Sequence, residues 1–268
     1  MIQSKRARET VPWPVLFLGH GSPMNAVRET PYSQAWRALG EKLGTPSAVL
    51  CISAHWLTQG TRITSNRNPR TIHDFGGFPE ELFQVQYPAP GDPNLARRTA
   101  ELLGLGKNAL TEEWGLDHGA WSVLRRLYPS ADVPVVQLSL DANRTEADHM
   151  ALGQKLAPLR RENVLILASG NIVHNLRFLN WSDVGPVPEW AREFDQAVAH
   201  AVLENKPEKL IRWDLLTPTA RQAHPSPDHF WPLLYAMGLR EPSDQLTFPV
   251  EGFQNSTISM RAVSLYSS

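Results

Sequence analysis

The chain is poor in cysteine: Cys51 is the single thiol in 268 residues. One thiol cannot close an intramolecular disulfide, and without a Cys-x-x-Cys pair there is no zinc ribbon. This usage fits a reducing compartment, and a cytoplasmic protein is expected. Charge is balanced, with 26 Lys and Arg against 27 Asp and Glu and a formal net charge of −1. That leaves no basic surplus for nucleic acid and no acidic tail. Long hydrophobic runs are also missing. No window approaches the roughly 18 apolar residues of a membrane span, so no membrane partner is expected. The polar start "MIQSKRARETVPW" leads only into "VLFL", too short for a signal-peptide core. Internal repeats and low-complexity stretches are absent.

Several chemical signatures are lacking as well. No GxGxxG follows the first apolar run and no GxxxxGK[ST] occurs, which removes support for dinucleotide and P-loop binding. There is no HExxH helix of a metalloprotease, and "GHGSP" is not the GxSxG elbow of a serine hydrolase. Cys51 lies inside an apolar run and reads as packing.

Five short runs read as buried strands: 14–19 "PVLFLG", 48–54 "AVLCISA", 61–65 "TRITS", 133–140 "VPVVQLSL" and 163–170 "NVLILASG". Helical patterns lie between and after them. "TPYSQAWRALGEKLG" and "DPNLARRTAELLG" both end on glycine, and "GAWSVLRRLYP" stops at proline. "RTEADHMALGQKLAPLR" and "PEWAREFDQAVAHAVLEN" read as amphipathic surface helices, and "SPDHFWPLLYAMG" as a buried one. "STISMRAVSLYS" alternates like a closing strand. Proline-rich connections such as "QYPAPGDPN" and "VGPVPEW" read as ordered loops rather than interdomain linkers. The expectation is a single α/β domain over residues 13–268 after an extension at 1–12, with a central, largely parallel or mixed sheet flanked by helices. Ligands of such sheets bind outside the carboxyl ends of the strands.

That rule gives meaning to the nine histidines. His20 follows the first strand, His55 the second, and His174 the strand ending near Gly170. His118, His224 and His229 also sit beside Gly, Pro or Asp at the ends of hydrophobic elements. His200 and His149 read as solvated helix residues, and His73 as a loop residue without a role. Neutral imidazole is the commonest protein metal ligand and suits zinc and iron(II). The inventory favours a mononuclear metal site with an open coordination position. A zinc-dependent hydrolase would need a water-activating carboxylate as well, for which Asp117, Asp228 and Glu80 are available. A catalytically silent metal-binding module is the other alternative. The aromatics Trp56, Phe75, Phe78, Phe83 and Tyr87 follow the second histidine closely. Most are expected to pack, and one or two to wall a flat substrate.

"LGHGSPMNAV", "ISAHW", "IHDFGGFPEELFQVQYPAPGDPNLA", "GLDHGAWSVLRRLYP", "ASGNIVHNLR" and "AHPSPDHFWPLLYAMG" run in order along nearly the whole chain. As a set they closely resemble the DOPA 4,5-dioxygenase-type branch of the class III extradiol ring-cleavage dioxygenases, the group that includes the catalytic subunit of protocatechuate 4,5-dioxygenase. The resemblance implies one divalent metal at the strand ends, a catechol substrate and O2, and a muconic semialdehyde-type product; an oligomer is compatible with it. By motif, His20 and His55 match two metal ligands. The wider class uses a glutamate as third ligand; here His229 falls at that position, with His224 its competitor and otherwise a lining of the substrate pocket. His174 matches the family's acid/base histidine and His118 one that contacts substrate or oxygen. Three histidines make a neutral ligand set that holds zinc well. Zinc has no accessible redox state, so oxygen chemistry implies iron(II), with zinc plausible as the bound ion.

Overall fold

Each of the five apolar runs supplies a strand to one sheet. The computed structural model describes residues 11–181 and 185–267; most of the expected N-terminal extension, residues 1–10, lies outside them. The strands are β1 (Val15–Gly19), β2 (Ala48–Thr58), β3 (Ile63–Thr64), β4 (Leu110–Thr111), β5 (Val135–Asp141), β6 (Val164–Gly170), β7 (Asp244–Thr247), β8 (Phe253–Gln254), β9 (Ile258–Ser259) and β10 (Val263–Ser267). The helices are α1 (Pro31–Leu43), α2 (Glu80–Phe83), α3 (Pro93–Leu103), α4 (His118–Leu127), α5 (Glu146–Lys155), α6 (Glu189–Leu203), α7 (Pro207–Ile211), α8 (Ala220–Ala223) and α9 (Trp231–Gly238).

The main sheet has eight strands in the order β4-β3-β5-β2-β6-β1-β10-β7, and β8 pairs with β9 separately. At its centre β5, β2, β6 and β1 run parallel. The edges are mixed: β10 is antiparallel to β1, β7 to β10, and β3 to β5. Side chains alternate between two buried faces. Val15, Phe17, Leu50, Ile52, Ile166 and Ala168 pack with α3, α5, α6 and α9. Leu16, Leu18, Val49, Cys51, Leu165 and Leu167 pack with α1 and α4. A sheet covered on both faces needs apolar residues at every position, which is why these strands read as unbroken runs.

Local chemistry sets the helix starts. Thr30, just ahead of Pro31, and Ser33 form a capping box, Asp92 accepts from the amides of Asn94 and Leu95, and Thr145 pairs with Asp148. Gly104, at φ 71°, closes α3 in the left-handed conformation that glycine adopts without strain.

Four expectations are corrected. The second strand does not stop before His55 but continues to Thr58, with its register to β5 broken between Ile52 and Leu57. That irregularity falls on the stretch carrying His55, and bulges of this kind are frequent next to sites. The stretch 61–65 keeps only Ile63 and Thr64 in the sheet. The closing segment is two strands, β9 and β10, separated by a bend. His149 is fully buried, not solvated: its Nδ1 lies 3.2 Å from the Tyr235 hydroxyl and its ring 4.4 Å from Trp231. Helix α5 mixes polar and apolar residues around its circumference, so its contact with α9 left no clear stripe in the sequence. His200 is exposed as expected. His73 is held by the Val85 carbonyl at 3.0 Å and packs on Phe75 and Trp121.

Candidate metal centre and active site

The carboxyl ends of β1, β2 and β6 meet at one rim. Gly19 pairs with Gly170 and Ser53 with Ser169, so the residues after or near those positions are brought together. The His20 amide donates to the Gly170 carbonyl at 3.0 Å. His229 arrives from the turn before α9 rather than from the helix itself, because α9 begins at Trp231. Its carbonyl accepts from the Asn171 amide at 2.9 Å. A Cβ on Gly170 would collide with that carbonyl, so glycine permits the close approach. Gly119 plays the same part on the other side: a Cβ there would stand 2.5 Å from Ser53 Oγ and 2.9 Å from His55 Cδ2.

Three imidazoles converge. Ring centroids lie 4.9 Å apart for His20 and His55, 5.3 Å for His20 and His229, and 4.9 Å for His55 and His229. A nitrogen from each lies within 4.8 Å of the others. Each outer nitrogen has a polar side-chain atom beside it. The Ser169 hydroxyl donates to the Gly119 carbonyl at 2.5 Å, so it accepts from His20 Nδ1 at 3.0 Å. His229 Nδ1 donates to Asp228 Oδ2 at 2.5 Å. His55 Nδ1 lies 3.3 Å from Asp74 Oδ2. Each contact puts the proton on Nδ1 and leaves Nε2 bare, the arrangement that orients metal-ligating histidines.

The bare nitrogens face one another. His20 Nε2 and His55 Nε2 are 3.1 Å apart, and His229 Nε2 is buried with no hydrogen-bond partner among the described residues. Two lone pairs at that distance repel unless a cation lies between them. Two nitrogens each 2.0–2.1 Å from one ion would be separated by about 3.0–3.4 Å, so His20 and His55 stand at the separation of two ligands of one divalent ion, with a His229 nitrogen within 4.8 Å of both. Burial, followed by the neighbouring imidazoles, drives the His20 and His229 pKa values well below the ordinary histidine value. Burial and His118 do the same to His55 against the opposing pull of Asp74. All three are therefore neutral at pH 7, the form that binds metal.

A match to the family described as the catalytic LigB subunit of aromatic ring-opening dioxygenase spans residues 13–266. The chain belongs to that family. It is a class III extradiol dioxygenase, a metal-dependent enzyme of single-domain α/β architecture. It is 45% identical over 257 residues to the 4,5-DOPA dioxygenase extradiol of Escherichia coli K12, covering 94% of both chains. It is 40% identical over 231 residues to the 4,5-DOPA dioxygenase extradiol of Beta vulgaris, covering 83% of this chain and 85% of that one. The crystal structure of an uncharacterized Escherichia coli K12 protein superposes with a TM-score of 0.79 at 39% identity, over 94% of this chain and 99% of that one.

Two more of the expected histidines stand against the LigB-family cluster. His174 stacks on His229 with centroids 3.5 Å apart and planes 5° from parallel. Its amide donates to the Ala223 carbonyl at 3.0 Å, and burial, then His224, pulls its pKa down to about 4. His118 opens α4, and its ring centroid is 3.8 Å from that of His55. Phe75 meets His118 edge-on at 5.4 Å and touches Phe78 and Phe83. Of the five aromatics expected near the site, Phe75 is the one seen against a cluster histidine. Trp56 stacks on Trp114, and buried Tyr87 donates its hydroxyl to the Tyr128 carbonyl at 3.0 Å.

His224 is placed behind the cluster. It is buried against Phe194, Trp213 and Phe230, and its Nε2 donates to the Ile172 carbonyl at 2.5 Å. The carboxylates considered for a hydrolase are otherwise engaged. Asp117 Oδ1 accepts from Ser53 at 2.6 Å and the Ala120 amide at 3.1 Å, and its Oδ2 from Gln137 at 2.7 Å. Asp228 holds His229, and exposed Glu80 accepts from Gln84 at 2.7 Å. The residue the sequence did not disclose is Asp74. Its neighbours in "IHDFGG" gave it no periodicity, and only the fold carries it to His55 and His118. Burial opposes its ionised form, but His118 and His55 hold its pKa down at about 2.

Proposed function

We propose that the protein opens the ring of a DOPA-like catechol with O2 by extradiol cleavage, giving a muconic semialdehyde-type product. We assign His20, His55 and His229 as ligands of one iron(II), a site that zinc can also fill. The observation carrying this reading is the set of three inward-facing Nε2 atoms whose outer nitrogens each have a polar side-chain atom beside them. The relatives named for 4,5-DOPA cleavage support the substrate class.

When bound, iron(II) supplies Lewis acidity toward catechol hydroxyls and redox access to O2. The chain's own residues then do the following. His174, neutral at pH 7, accepts a catechol hydroxyl proton at a ring nitrogen and later returns it. Its stacking on His229 fixes where that nitrogen sits. His118, its ring centroid 3.8 Å from that of His55 and 5.8 Å from that of His20, hydrogen-bonds the substrate or oxygen. Phe75 walls the aromatic ring beside His118. In this arrangement His224 braces the backbone at Ile172 that leads to His174, rather than touching substrate.

The test is anaerobic loading with iron(II), followed by oxygen uptake across a panel of catechols that includes DOPA. Stoichiometric oxygen consumption and a ring-opened product are expected, with none from zinc-loaded protein. A chain holding one iron(II) yet consuming no oxygen with any catechol overturns the proposal.

A further inference from the structure

The carboxylate of Asp74 touches two imidazoles of different duty. Its Oδ2 lies 3.3 Å from His55 Nδ1. Its Oδ1 lies 3.0 Å from His118 Nδ1, off that ring's N–H direction, and accepts the His118 backbone amide at 2.9 Å. The backbone contact anchors the carboxylate to the first turn of α4, where unpaired amides favour an anion. Asp74 is thus fixed by the helix as well as facing the two imidazoles. A bare nitrogen lone pair about 3 Å from a carboxylate oxygen is repelled, whereas an N–H is attracted even along a bent approach.

We propose that Asp74 is a positioning residue that places the Nδ1 proton of both His55 and His118, so that one carboxylate leaves Nε2 bare on the far edge of each ring. The inference rests on the reading of His55 as a metal ligand and of His118 as a substrate contact. For His55 the consequence is a lone pair for the ion. For His118 it is a hydrogen-bond acceptor for a substrate hydroxyl. Among the described residues neither ring has another acceptor at Nδ1. By contrast, His20 and His229 are held separately by Ser169 and Asp228.

Asp74→Ala removes the carboxylate from both rings. Asp74→Asn keeps the shape, and its single amide oxygen can serve only one of them. Long-range proton–nitrogen NMR reads each tautomer directly, His118 in the zinc-loaded chain and His55 in the metal-free chain. Wild type is expected to show Nδ1–H on both. Asp74→Ala should shift both toward Nε2–H, and Asp74→Asn at least one, while His20 and His229 keep Nδ1–H in the metal-free variants. Zinc should still bind one per chain in Asp74→Ala, with affinity lower by about 10–100-fold. Nδ1–H retained on both rings in both variants, or Nε2–H on His118 in wild type, overturns the inference. None of these readings needs turnover. If iron-loaded wild type consumes no oxygen, the proposed function falls while the tautomers still decide the role of Asp74.

Discussion

Single substitutions separate holding the ion from using it. His20→Ala and His229→Ala each remove one of three converging nitrogens, and stoichiometric metal loading should be lost, as read by elemental analysis after dialysis. His174→Ala removes a ring stacked on a ligand but not part of the triad. It should retain the metal and lose kcat by about 10²–10⁴-fold, the usual worth of a positioned proton transfer. Asp228→Asn loosens the His229 ring, and chelator competition should show a 10–100-fold weaker site, roughly. Acid acts on two histidines outside the triad. Buried His149 and His224 have pKa values pulled down to about 4 by desolvation first of all. The unfolded chain binds protons on these rings near pH 6.5 while the folded one refuses them until about pH 4. Stability of the metal-free protein should therefore be full above pH 6.5 and fall as pH drops toward 4. The contribution of His149 alone is on the order of 3 kcal/mol. Urea midpoints at pH 7.5, 5.5 and 4.5 test this, and His149→Phe should flatten part of the slope.

The elements matter for where they let backbones touch. Helix α4 begins with Asp117, whose carboxylate caps the Ala120 amide and also receives Ser53, and whose amide donates to Gln137. The cap therefore ties the helix start to β2 and β5. Gly119→Ala would press a methyl into Ser53 and His55. Overpacking of this kind costs about 1–3 kcal/mol, and because the displaced ring is His55 the larger effect should be on metal affinity. Thermal unfolding and chelator titration on the same sample distinguish the two. A loss of stability with unchanged affinity would place the strain elsewhere. The bulge in β2 belongs to this scale as well, since a regular strand would alternate His55 according to the β5 register instead of breaking it between Ile52 and Leu57.

At the scale of the molecule, the sheet edge beyond β1 is locked by a buried ion pair. Arg160, wholly enclosed, donates to both carboxylate oxygens of Asp244 at 2.7 Å and to the carbonyls of Trp13 and Leu239. Asp244→Ala leaves that guanidinium only the more distant Glu241 carboxylate, 3.8 Å away, and should cost about 3 kcal/mol, measured by urea unfolding, with iron(II) stoichiometry unchanged in the folded fraction. Among the described residues no helix is long and apolar enough to cross a membrane.

Much of this was legible in the chain itself. Apolar runs such as 163–170 read as buried strands, and "DPNLARRTAELLG" as a helix closed by its glycine, because both signals are local. Histidines beside small residues at strand ends marked the site for the same reason: the C-terminal rim of a parallel sheet is fixed by strand direction. What the tertiary structure alone decided is which groups meet across the chain. It buried His149 against α9, set His224 behind aromatic rings and brought Asp74 between His55 and His118. Those contacts join residues tens of positions apart, and their geometry follows from packing and register, which leave no periodic trace in sequence.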